Sequence, residues 1–188
     1  NSANPFLKGI IDRMNAAGAE VGLEVVEGQN QGTPAEWVQQ VELATRDKYA
    51  IIDLISGIDP GSIAPSLEAA KAAGVKVMTS HFYDPSFEQH PVVSSSLTIG
   101  FGEIGKILAD WATVATDGNP QVAIIVSRDV PPTIPLINEF TKELAAVAPN
   151  GKIVQELNVG VTEWATKIQP SVQAALQANP DINVVIPI

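Results

Sequence analysis

Residues 100 to 105 read GFGEIG, the G-x-G-x-x-G spacing that wraps the pyrophosphate of a dinucleotide at a helix N-terminus. The run follows the strand-like VVSSSLTI and opens the helix-like EIGKILADWATVA. A further strand-like run, QVAIIVS, leads into Arg128 and Asp129, close to where a ribose-binding acid belongs in such a fold. On that basis Gly100, Gly102 and Gly105 lie against a pyrophosphate. Against it, VVSSSLTI is polar for the central strand of a dinucleotide fold, and the motif alone decides little. Other chemistries are easier to set aside. The chain has no cysteine, which removes disulfides, thiolate-held zinc and thiol nucleophiles. Its two histidines, His81 and His90, lack HExxH spacing, no G-x-S-x-G nucleophile elbow occurs, and no glycine-rich run ends in the G-K-S/T of a P-loop. Neither a metal nor a cofactor is expected.

The elements that must position a site alternate regularly. A length of 188 residues suits one domain or two small ones, and 45% hydrophobic residues suffice for a packed core. The net charge of −10 is scattered along the chain, which speaks against nucleic acid and anionic membrane surfaces as partners. No run reaches the roughly 18 apolar residues of a membrane span. Phe6, Leu7, Ile10, Ile11 and Met14 share one helical face behind Asn4, a candidate N-cap, and VGLEVVE then reads as a strand. Thr33 as N-cap, Pro34 at N1 and Glu36 at N3 predict a helix that buries Trp37, Val38, Val41 and Ala44. AIIDLI is a strand, SGIDPG a turn, SIAPSLEAAKAAG a helix stopped by Gly74, and VKVMTS the next strand. In the second half Ile104, Ile107, Leu108, Trp111 and Val114 form a helical stripe before VAIIVS. Ile137, Phe140, Leu144 and Val147 form another before KIVQELNV. Pro170 should kink or restart the helix in TEWATKIQPSVQAALQANP, and DINVVIPI is the last strand. The fold class is therefore α/β, with parallel sheets covered by helices. Both ends read as cut: a helix opens the chain and an apolar strand closes it.

Several segments in order resemble the type I periplasmic solute-binding proteins, in the ribose-binding-like branch that serves sugar ABC transporters. They are NPF, DLISGIDPGSIAPSLEAAKAAGVKVMTS, GFGEIGKILADW, EWATKIQ and LQANPDINVV. The resemblance spans nearly the whole chain. It implies two Rossmann-like lobes joined by a hinge, residues 1–98 and 99–188, lacking the first strand before Asn1 and the segments after Ile188. It also implies a different use for GFGEIG, as a hinge crossing whose glycines let the backbone turn and a helix pack close to its sheet.

In open parallel sheets ligands bind beyond the carboxyl ends of the strands. Sugar-binding members of the family stack a sugar ring on aromatics and hold its hydroxyls with charged, forked partners. The resemblance puts Phe6, beside Asn4, and Trp164 at stacking positions, and Ser56 at a polar contact in the SGID turn. Where the family often carries an Asp-Arg pair, this chain has His81 and Phe82, followed by Tyr83 and Asp84. A clamping arginine of the second lobe aligns with Leu136. Arg128, and Phe101 in the hinge segment, complete the candidates. Asp53, within a strand, is expected to pair structurally.

The function implied is that of an extracytoplasmic subunit of an ABC importer, periplasmic or cell-surface anchored with its signal peptide removed. It would be monomeric and without enzymatic activity, and would close on a small sugar or sugar-like solute for a membrane permease. A small aromatic or less hydroxylated solute is the alternative on the same fold. The effector-sensing core of a lac-repressor-type regulator is another, and an NAD-dependent enzyme using GFGEIG is third.

Overall fold

The regular alternation of apolar runs and helices becomes two α/β units. A computed structural model of the chain describes residues 5–30, 33–55, 58–81 and 83–187, without the side chains of 5–7 and 162. Backbone contacts divide the chain into a first unit, Asn1–His81 with Gln89–Leu97, and a second, Phe82–Glu88 with Thr98–Ile188.

The first unit contains α1 (Pro5–Glu20), α2 (Pro34–Arg46), β1 (Ile51–Leu54), a 3-10 turn (Pro60–Ile63), α3 (Ala64–Ala72), β2 (Lys76–Ser80) and β3 (Ser95–Leu97). Its strands are parallel in the order β1-β2-β3. Helix α2 begins as its sequence dictates. The Glu36 N–H donates to Thr33 Oγ1 at 3.4 Å and the Thr33 N–H donates to the Glu36 carboxylate at 3.2 Å, closing a capping box. Trp37 and Val41 of α2 then pack with Ile63, Leu67 and Ala70 onto Leu54 and Val77 of the sheet. Gly74, at φ +91°, turns the chain out of α3 towards β2 in a conformation that favours glycine.

Two expectations fail in this unit. Residues 21–27 form no strand: Val21, Leu23 and Val26 are exposed and take part in no ladder among the described residues. A strand needs a neighbour's hydrogen bonds, which its own β propensity does not supply. The run VVSSSLTI likewise narrows to Ser95–Leu97, because only those residues register with Met78–Ser80.

The second unit contains α4 (Phe101–Ala115), β4 (Gln121–Val126), α5 (Thr133–Val147), β5 (Lys152–Asn158), a 3-10 turn (Val161–Glu163), α6 (Trp164–Ala178) and β6 (Val184–Pro187). The parallel order is β5-β4-β6. Central β4 is buried on both faces from Val122 on, which is why VAIIV reads as a continuous apolar run rather than an alternating one. Val122, Ile124 and Val126 meet α4 and α5, whereas Ala123 and Ile125 meet α6. Helix α6 continues through Pro170 without restarting.

Helix α4 buries the opposite of what its large apolar residues suggest. Its inward face is Gly102, Gly105, Ala109 and Ala112, while Ile104, Ile107, Trp111 and Val114 are exposed. The small residues let α4 approach α5 closely. A Cβ on Gly105 would collide with the Leu136 carbonyl oxygen and stand 3.0 Å from the Phe140 nitrogen. Gly102 and Gly105 of GFGEIG therefore serve a helix–helix contact, not the helix–sheet contact expected of them. Gly105→Ala should cost about 2–3 kcal/mol, as overpacking between fixed backbones does, read as a lowered denaturation midpoint of the second unit.

Candidate functional site

Strand β4 is apolar up to Val126 and then turns polar, with Ser127, Arg128 and Asp129 leaving the carboxyl end of the sheet. Each of the three holds a different neighbour. The buried Ser127 hydroxyl donates to the Val159 carbonyl at 2.7 Å and accepts from the Trp164 indole N–H at 2.7 Å. The Arg128 backbone N–H donates to Asn158 Oδ1 at 3.1 Å, and its guanidinium forks onto Glu156 of β5, with Nε at 2.6 Å and Nη2 at 2.7 Å. Asp129 Oδ2 accepts the Val161 N–H at 3.2 Å and so fixes the turn that leads into Trp164. Trp164 itself opens α6 with 41% of its surface exposed.

The arrangement suits recognition of a polar solute with an apolar face. Trp164 offers an anchored aromatic surface, and Arg128 offers a forked donor next to it in sequence to the serine that anchors the ring. The hydrogen bonds and charge of Glu156 raise the Arg128 pKa above its already high value, so the guanidinium stays charged. Both partners are solvent-accessible, at 49% and 33%, so the ion pair is screened and weak enough for a ligand oxygen to compete with it.

At the start of the same unit the segment after His81 is tied to α4. The buried Asp84 carboxylate accepts from the Ser86 hydroxyl at 2.6 Å, the Ser86 N–H at 2.9 Å and the Gly102 N–H at 3.1 Å. Burial pushes this carboxyl up, but hydrogen bonds from Ser86, Gly102 and Phe101 more than offset it and leave the pKa lowered. Asp84 is thus an N-terminal anchor of α4, where a carboxylate also suits the helix dipole. Tyr83 lends its carbonyl to the Ile99 N–H at 2.9 Å, and Phe101, half-buried, is the first residue of α4.

In the first unit the carboxyl end of the sheet carries His81 and Asp53. His81 is half-buried, its pKa is lowered by burial, and it leaves β2 at φ +71°, a left-handed conformation that histidine adopts more readily than most residues. The neutral imidazole that results can both donate and accept. Asp53 takes the Ser80 hydroxyl at 2.7 and 2.9 Å; burial raises its pKa, and the Ser80 bond opposes the rise. This is the structural pairing expected of a carboxylate within β1.

Among the candidates, the second unit carries Arg128 just past β4, bonded to Glu156, Trp164 at the start of α6, bonded to Ser127, and Tyr83 and Phe101 near the start of α4. His81 stands on the first unit. Asn4, Ser56 and Phe82 lie outside the described residues; Phe6 falls on α1, but its side chain is not among those described. Leu136, the position of the expected clamping arginine, is a buried residue of α5, with its carbonyl facing Gly105. Sequence reasoning missed Ser127, Glu156 and Asn158, and weighed Asp129 only as a ribose-binding acid. Ser127 could have been flagged as the first polar residue after a five-residue buried run.

The whole chain, residues 1–188, matches the family model described as the periplasmic binding protein domain, and the chain belongs to that family. Its fold is the type I periplasmic binding protein fold. A sugar-binding protein of a sugar ABC transporter from Bacillus halodurans superposes with a TM-score of 0.81 at 19% identity, over 99% of this chain and 62% of that one. The myo-inositol binding protein of Caulobacter, bound to myo-inositol, gives 0.82 at 16% identity over 100% and 62%. The 5-methylthioribose transporter solute binding protein from Thermotoga lettingae, in complex with 5-methylthioribose, gives 0.77 at 19% identity over 97% and 56%. The chain therefore spans about three fifths of the length of these structures.

The Asp84 anchor has a definite pH signature. Its folded pKa lies below its unfolded one, so its stabilisation is complete above the unfolded value of about 3.9 and is lost as pH falls through the depressed folded value. Asp84→Asn should lower stability at pH 7 by about 1.5–3 kcal/mol, the range for hydrogen bonds to a charged group. The deficit should shrink as wild type and variant are compared below about pH 4 in chemical denaturation.

Proposed function

We propose that the chain is the solute-binding portion of an extracytoplasmic subunit of an ABC importer, and that its solute is a small sugar or a sugar-like polyol. The observation that carries this reading is the anchored, partly exposed Trp164 beyond the carboxyl end of a parallel sheet, with a forked Arg128 guanidinium just past the end of β4. An aromatic face meets the C–H face of a sugar ring, and a forked cation meets adjacent hydroxyls. Membership of the periplasmic binding protein family and likeness to proteins named for sugars and myo-inositol support the same choice. Solute binding then favours one conformation, which a membrane permease recognises, and no chemical step on the solute is involved. The protein works as a monomer in the periplasm or at the cell surface, without nucleic acid.

A second reading, a less hydroxylated or small aromatic solute, is favoured by how one polar candidate is used and by what fills the position of an expected cation. Asp84 is saturated by Ser86 and α4, and Leu136 stands buried where a clamping cation was expected.

Isothermal titration of the full chain with L-arabinose, D-galactose, myo-inositol, 5-methylthioribose, benzoate and NADH separates these readings. The proposal expects saturable one-to-one binding of at least one of the four sugars or polyols. Trp164→Ala should weaken it by about 2 kcal/mol, roughly thirtyfold in Kd. Binding of benzoate alone selects the second reading, and binding of NADH alone overturns both.

A further inference from the structure

Ser127 has a hydroxyl with one proton and two partners of fixed character. The Val159 carbonyl can only accept, and the Trp164 indole N–H can only donate. The serine proton must therefore go to Val159, at 2.7 Å, and its lone pair must receive the indole N–H, at 2.7 Å. The indole nitrogen also reaches the Val159 carbonyl, at 3.3 Å.

The serine cannot follow the ring if the ring moves. Its own carbonyl accepts the Thr133 hydroxyl at 2.7 Å and the Val130 N–H at 3.0 Å, and the side chain is buried. Val159 is fixed in turn, its N–H donating to the Val126 carbonyl at 2.8 Å. At the other end of the tryptophan, Asp129 holds the preceding turn through the Val161 N–H at 3.2 Å. Trp164 is thus secured by backbone and by ring edge, while 41% of it stays open to solvent.

We propose that Ser127 is a positioning residue for solute recognition: it sets the plane of the Trp164 indole so that its exposed face is ordered before the solute arrives. The inference rests on the reading of Trp164 as the stacking surface for a sugar or polyol. A ring ordered in advance loses less freedom on binding than one ordered by the ligand, and the difference appears as affinity. Ser127 does not touch the solute. Its effect passes entirely through the indole N–H, which gives the proposal its test.

The test is a double-mutant cycle on the full chain, titrated with the tightest binder among L-arabinose, D-galactose, myo-inositol and 5-methylthioribose. Trp164→Phe keeps an aromatic face but removes the N–H, so it severs the connection without removing the surface. Ser127→Ala should weaken binding about five- to tenfold with Trp164 present, the worth of one ordering hydrogen bond, and less than about twofold in the Trp164→Phe background. A merely structural serine would lower thermal stability and affinity alike in both backgrounds. An equal loss of affinity in both, or none in either, overturns the proposal. Indole N–H exchange by 1H–15N NMR gives a readout that needs no ligand: the Trp164 signal should be protected in wild type and exchange at least tenfold faster in Ser127→Ala. Unchanged exchange overturns the positioning role even if a sugar binds. If none of the four probes binds the wild-type chain, the saccharide reading falls and the platform role with it, whatever the exchange rates show.

Discussion

A parallel strand buried on both faces can carry recognition chemistry only beyond its carboxyl end, and β4 sets that limit for the second unit. Everything up to Val126 is committed to two helical layers, α4 with α5 on one side and α6 on the other. The first three residues past that point are polar: Ser127 is buried and needs a partner there, whereas Arg128 and Asp129 are exposed. Their partners define the candidate site. Ser127 takes the indole of Trp164, Arg128 reaches back to Glu156 on β5, and Asp129 fixes the turn before α6. The Ser127–Trp164 bond of the candidate site is thus a consequence of satisfying the buried end of one strand.

A second constraint works from the opposite side of the unit. The close approach of α4 to α5 requires Gly105, and the N-terminus of α4 is held by Asp84 from the segment after His81. The backbone amide that a dinucleotide phosphate would need at this helix end is therefore already given to a protein carboxylate. GFGEIG looks like a phosphate loop because both uses demand backbone approach, to a ligand in one case and to another helix in the other. An internal anion is in place here, and the Asp84 bonds make it a structural one.

The parts of this architecture legible in the sequence are those with short-range causes. The capping box of α2 is contained in Thr33 to Glu36, and the strand character of QVAIIV is contained in its own six residues. The misread parts depend on what lies across space. Residues 21–27 have strand composition but take part in no ladder among the described residues, and the large apolar stripe of α4 stays mostly exposed because its packing is decided by small residues. The site divides the same way. Arg128 stands out from its position after a strand-like run, and the family resemblance singles out Trp164. The hydrogen bond from Trp164 to Ser127 joins residues 37 apart, and that from Arg128 to Glu156 joins residues 28 apart, so neither left a local pattern.

The most direct measurement of the central claim is a crystal structure of the full chain with the tightest-binding saccharide bound. The account predicts the apolar face of the sugar ring against the Trp164 indole, the Ser127 bond intact, and a hydroxyl in contact with Arg128. A sugar seated away from the carboxyl ends of β4 and β5, with Trp164 untouched, would contradict it.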